Sequence, residues 1–118
     1  MIVRILTARV PARNAAAFER LVREQLPVMR EYDGLEYVKL ARKAFGTHDD
    51  VILFEEWRDA RSLYGWTGPD PGKPRLLPGA EGLAEFVHVT HYEALDRDPD
   101  LLWDTVEAAP DAATDPPT

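Results

Sequence analysis

Three histidines, His48, His88 and His91, are the side chains best placed to exchange protons near neutral pH. His88 and His91 fall in 84–95 (AEFVHVTHYEAL), a segment whose apolar and β-branched residues predict a strand. Three apart on a strand, they point to opposite faces, so at most one reaches a given pocket. His88 shares its parity with Phe86, Thr90 and Tyr92, a mixed aromatic and polar face suited to lining a pocket. His91 shares its parity with Val87 and Val89, which suits dry packing. His88 is therefore the favoured proton carrier and His91 the second, with Phe86 and Tyr92 as candidate substrate contacts. The plainer reading of either histidine is a hydrogen-bonded structural residue. His48 falls in a predicted hairpin, 45–50, where solvent is its expected surrounding.

Aromatic and charged side chains extend the candidate set. Tyr64 and Trp66 are two apart, so on a helix they diverge by about 200° and only one faces inward. Trp66 is the preferred one, as a pocket wall and ring N–H donor, and Tyr64 is a further catalytic candidate; packing is the plainer role. Trp57 closes a predicted strand and is expected to seal the core. Arg75 lies in a Pro/Gly-rich loop, from which a guanidinium can steady an oxyanion or enolate; a solvated loop arginine is the plainer alternative. Glu55 and Glu56 are adjacent on a strand and face opposite ways, so they are not a paired acid site. Three scattered histidines without cysteine give no metal-ligand spacing. No phosphate-cradling glycine loop or flavin fingerprint appears, so no cofactor is expected.

The elements that would position these residues follow from periodicity. Residues 2–10 (IVRILTARV) read as a strand ending at Pro11. Phe18, Leu21, Val22, Gln25, Leu26 and Met29 form one stripe of a helix, with Asn14 as its expected N-cap and Asp33-Gly34 as its stop. Pro27 inside that stripe predicts a kink or break near 23–27. Residues 35–43 and 51–57 alternate as strands, and 58–66 suit a short helix with Asp59 near its start. Four prolines and four glycines in 67–82 make a long loop, of the length usually found in lids and binding loops. The order β-α-β-β-α-β is the ferredoxin-like arrangement, an α+β fold with an antiparallel sheet.

The strands are apolar on both parities: Val3 and Ile5 against Ile2 and Leu6, Val51 and Leu53 against Ile52 and Phe54. Two helices cover one face only. A near-continuous apolar strand is buried on both faces, so a second copy's sheet is the expected cover, giving a homodimer.

Composition narrows the function further. At 118 residues, 45% hydrophobic and 30% charged, the chain is one domain of globular type. No apolar run reaches the ~18 residues of a membrane helix, and the N-terminal residues show no signal-peptide pattern. A cytoplasmic protein without membrane association is expected. Cysteine is absent, which excludes disulfides and a thiol nucleophile. The net charge of −7 is concentrated at the end: 96–118 carry seven acids against Arg97, whereas 1–95 are nearly balanced. That body lacks the basic surplus of a nucleic-acid binder. The expected division is a domain over 1–95 and an acidic tail over 96–118, disordered beyond Ala109. Leu101, Leu102, Trp103 and Val106 could form a helical turn or two within it.

The opening strand IVRILTARV, Phe18-Glu19-Arg20-Leu21, Asp33-Gly34-Leu35, Phe54-Glu55-Glu56-Trp57 and Thr90-His91-Tyr92-Glu93-Ala94-Leu95 together resemble the antibiotic biosynthesis monooxygenase family. The likeness spans about residues 1–95. It implies a dimeric α/β barrel, two sheets face to face in a homodimer, with a pocket between sheet and helices in each subunit. It also implies either cofactor-free oxygenation of polycyclic phenols or, in one branch, haem binding and degradation. Trp66 stands where a tryptophan recurs in the haem branch. That branch also needs an axial histidine later in the helix and an asparagine on the first strand. No histidine occurs here between Trp66 and His88, and neither Leu6 nor Thr7 is asparagine, which counts against haem degradation.

Cofactor-free oxygenation needs few protein groups. The substrate loses a proton, and its anion passes an electron to dioxygen within a water-excluding pocket. The leading expectation is thus a small monooxygenase-like dimer acting with dioxygen on an aromatic phenol or quinone-type metabolite. A non-catalytic small-ligand-binding dimer is the alternative from another class, and a haem-binding relative the third.

Overall fold

The computed structural model describes residues 1–95; the expectations for the acidic tail lie outside them. The elements are β1 (Ile2–Pro11), α1 (Ala12–Arg30), β2 (Leu35–Ala44), β3 (His48–Trp57), α2 (Ala60–Thr67), a 3-10 turn (Glu81–Leu83) and β4 (Phe86–Glu93). The sheet runs β2-β3-β1-β4, and all three neighbouring pairs are antiparallel. This is the ferredoxin-like α+β fold that the element order predicts.

Alternation along the strands sorts the sheet into two faces. Leu6, Ala8 and Val10 of β1 and Val51, Leu53 and Trp57 of β3 are buried beneath Phe18, Val22 and Met29 of α1 and Leu63 and Trp66 of α2. The other face carries Val3, Ile5, Ile52 and Phe54, all half-buried. Tyr37, Phe86 and Tyr92 are exposed on it. Tyr37 packs edge-on against Phe54 at 5.9 Å between ring centroids.

Several local expectations are corrected. Asn14 does not cap α1: Pro11 holds the N-cap position, and the Asn14 amide donates to the Leu83 carbonyl at 3.1 Å, tying the helix to the 3-10 turn. Pro27 does not break the helix, which continues to Arg30. The hydrogen bond that Pro27 forfeits is to the carbonyl of Arg23, and both residues are on the exposed side of the helix. His48 is not in a solvated loop but is the first residue of β3, half-buried and stacked on Phe45 with 4.8 Å between ring centroids.

The turn after α1 depends on glycine. Gly34 is buried with φ 92°, and a Cβ there would lie 2.2 Å from Ser62 Oγ. A left-handed backbone and this close approach both demand a residue without a side chain. Asp59 caps α2, its Oδ1 accepting from the Ser62 amide at 2.8 Å; such a cap is worth about 1 kcal/mol.

Candidate active site beneath the proline–glycine loop

Helix α2 divides its two aromatics as the helical angle requires. Trp66 is 2% exposed, whereas Tyr64 turns outward and is 49% exposed. The indole meets Tyr32 edge-on at 5.1 Å between ring centroids. Its other neighbour comes from the loop, where the Arg75 guanidinium lies 4.2 Å from the Trp66 ring centroid and donates to the Trp66 carbonyl. The Trp66 ring N–H is buried and has no hydrogen-bond partner among the described residues. A buried donor without an acceptor costs about 1–3 kcal/mol, so this group marks where an acceptor belongs.

Beside this aromatic cluster, the sheet contributes a buried polar network. Arg4 on β1 and Glu55 on β3 are register partners, with Nη1 and Oε2 2.9 Å apart. Glu55 Oε1 accepts from the Trp57 ring N–H at 2.8 Å. Burial pushes the Glu55 carboxyl up, opposed by Arg4 and by the Trp57 donor. The remaining Arg4 donors reach the loop: Nε donates to the Pro71 carbonyl at 3.3 Å and Nη2 to the Lys73 carbonyl at 2.9 Å. Gln25 of α1 donates to the Arg75 carbonyl at 3.1 Å.

His91 of β4 is the other register neighbour of Arg4. Partial burial and the Arg4 charge hold its imidazole below the ordinary histidine range, while the Pro71 carbonyl pulls the other way. The register places His91 on the helix side of the sheet, at the exposed edge strand, and these surroundings favour its neutral form. His88 pairs with Thr7 on the opposite face, where Phe86 and Tyr92 also lie. Arg9 sits 5.5 Å over the Phe86 ring there.

Among the sequence-derived candidates, Trp66, Arg75 and His91 are on the helix side, with Trp66 and Arg75 in contact. His88, Phe86 and Tyr92 are on the open face, and Tyr64 is on the solvent side of α2. Arg4, Glu55 and Gln25 are not among the candidate site residues of the sequence, where Glu55 appears only as one of two adjacent acids and Gln25 only as a member of the helix stripe. Their signal was available: Arg4 and Glu55 share the parity of the core residues on their strands, and Gln25 interrupts the apolar stripe of α1. Among the described residues, no three histidine, aspartate or glutamate side chains converge as metal ligands. None of the described helices is long and apolar enough to cross a membrane.

The fold and its sequence pattern both have relatives. The PA3566 protein of Pseudomonas aeruginosa superposes with a TM-score of 0.64 at 22% identity, over 80% of this chain and 94% of that one. Rv0793 of Mycobacterium tuberculosis superposes with a TM-score of 0.60 at 24% identity, over 82% and 98%. MhuD, a heme degrader of the same organism with two hemes bound in its active site, gives 0.61 at 16% identity, over 83% and 99%. These likenesses establish a shared fold. No curated protein sequence matches this one significantly. The sequence profile of the antibiotic biosynthesis monooxygenase family matches residues 1–71, which is more than half of the chain. The chain belongs to the antibiotic biosynthesis monooxygenase family.

Proposed function

We propose that the protein is a cofactor-independent monooxygenase acting on a planar phenol or quinone-type aromatic, with dioxygen as co-substrate, and that it works as a homodimer. The observation that carries this reading is the buried, unpartnered ring N–H of Trp66 beneath the Arg75 guanidinium. A planar cation resting on an indole occupies the place that a planar aromatic ring would take. The free N–H supplies a donor for that ring's oxygen.

The chemistry is then short. A neutral His91, kept unprotonated by partial burial and the Arg4 charge, takes the phenolic proton on the helix side of the sheet. Arg75 and the Trp66 N–H stabilise the phenolate oxygen. The electron-rich anion gives one electron to dioxygen, and the radical pair combines into a hydroperoxide on the ring. Loss of water from it leaves one oxygen atom on a quinone. Substrate and dioxygen balance quinone and water, so no external reductant enters.

The test uses 1,5-dihydroxynaphthalene, which such a reaction converts to 5-hydroxy-1,4-naphthoquinone with uptake of one dioxygen and release of one water. Oxygen consumption and quinone absorbance should rise with the protein in the presence of a chelator. Trp66→Phe keeps most of the apolar area and loses the donor. It should cost about 1 kcal/mol of stability but lower turnover or affinity roughly 5- to 150-fold, as a donor worth about 1–3 kcal/mol implies. Binding without oxygen uptake would instead support the non-catalytic ligand-binding reading. Equal behaviour of Trp66→Phe and wild type would remove Trp66 from the site.

A further inference from the structure

Two buried side chains hold the loop after α2 by its backbone. Arg4 donates to the carbonyls of Pro71 and Lys73, and Gln25 donates to that of Arg75. The accepting carbonyls fall on alternate residues of a strap that turns at 70–73, where the Lys73 N–H donates to the Asp70 carbonyl at 3.2 Å, and then runs on without regular structure. Arg4 is fully buried and Gln25 nearly so; the two Arg4 donors depend on the strap for their partners, while the Gln25 amide also reaches Met29 Sδ at 3.5 Å. Pro69, Pro71, Pro74 and Pro78 stiffen the strap and remove its own backbone donors. Gly68 and Gly79 bound it with φ 78° and 89°, conformations that glycine adopts and leaves at little cost.

The guanidinium of Arg4 is divided between two tasks. Nη1 faces Glu55, while Nε and Nη2 form a side-on fork that meets two oxygens at 3.3 and 2.9 Å. A guanidinium takes a carboxylate through such a fork, with two parallel hydrogen bonds. The carbonyls of Pro71 and Lys73 stand where the two carboxylate oxygens would.

We propose that the Arg4 fork anchors the carboxylate of a planar aromatic acid, and that the strap fills this site with its own carbonyls until the ligand displaces it. The inference rests on the proposed function, because it assigns a substrate class to the same site. Charge supports a monoanion. Arg4 and Arg75 bring two positive charges and Glu55 one negative, and Arg75 has no ion-pair partner among the described residues. Displacement also lets the Arg75 side chain, two residues along the strap, slide from the Trp66 ring face to the ligand's phenolic oxygen.

The experiment compares 3-hydroxy-2-naphthoate with 2-naphthol, which differ by the carboxylate. Calorimetry on the full chain should show the naphthoate binding at least tenfold more tightly. The naphthoate, and not the naphthol, should speed tryptic cleavage of the Arg75–Leu76 bond, because the strap is released. Arg4→Lys keeps the charge and lacks the fork. It should bind both compounds with the affinity of the naphthol and be cleaved faster without ligand. Equal wild-type affinities, or naphthoate binding with unchanged cleavage, would overturn the inference and leave the proposed function standing. Binding of neither compound would overturn both. The wild-type comparison decides the matter even where the variant does not fold.

Discussion

Arg4 and Glu55 face each other across the β1–β3 register, fully buried, with 2.9 Å between Nη1 and Oε2. One partner holds the loop strap and the other accepts from the Trp57 ring N–H. A buried charge deprived of its partner is far more costly than the pair is valuable. Glu55→Gln and Arg4→Met should each destabilise the protein by about 3–5 kcal/mol. The double variant should lose less than the two costs combined, because neither leaves a lone charge behind. Urea unfolding of the four proteins measures this; strict additivity would show that the two side chains act independently.

How far the site could be read in the sequence depends on range. Parity within one strand separates Glu55 from Glu56, and the helical angle separates Trp66 from Tyr64. Both are local geometry, and both agree with the structure. The Arg4–Glu55 pair joins residues 51 positions apart, and no pattern within either strand states which charge the other will meet. The strap was visible as a Pro/Gly-rich loop, but its attachment through carbonyls involves backbone atoms that every sequence possesses. Asn14 illustrates the converse. Its type suits an N-cap, yet the 3-10 turn offers its amide the Leu83 carbonyl, and this tertiary contact displaces the local preference.

The imidazole of His91 predicts a pH dependence with a definite sign. Its pKa in the folded protein lies below the ordinary histidine value of 6.5, owing first to burial and then to Arg4. The unfolded chain therefore binds the proton more readily than the folded one. Stability from this group is complete above pH 6.5 and is lost as pH falls through the lower, folded value. Glu55 acts in the opposite sense, because its pKa is raised and its contribution declines as pH rises through the folded value. His91→Gln isolates the first effect. The stability difference between wild type and this variant should shift against wild type as pH drops below 6.5. A difference that stays constant between neutral and acidic pH would show that burial and Arg4 together do not lower the His91 pKa.

The open face of the sheet predicts the assembly. Val3 and Ile5 of β1 lie beside Ile52 and Phe54 of β3, and Tyr37, Phe86 and Tyr92 extend the apolar area to both edges. A shallow hollow of about 250 Å³ lined by Tyr37, Lys39, Ala41, Ile52 and Phe54 gives the face relief into which side chains can interlock. An apolar patch of this kind on a free monomer would be unusual, and a second copy presents the same patch in the self-complementary way that two-fold symmetry requires. Ile52 is the position to probe, since its register neighbours are Thr7 and Ala41, neither of them charged. Light scattering at micromolar concentration should give twice the chain mass for wild type. Ile52→Lys places an ammonium in the middle of the buried patch without an acidic residue directly opposite, and should give the single-chain mass with unchanged far-ultraviolet circular dichroism. The helix-side core does not contact this position, so loss of secondary structure in the variant would place Ile52 in the folding core. A monomeric wild type would leave the open face exposed to solvent and remove the homodimer from the proposed function.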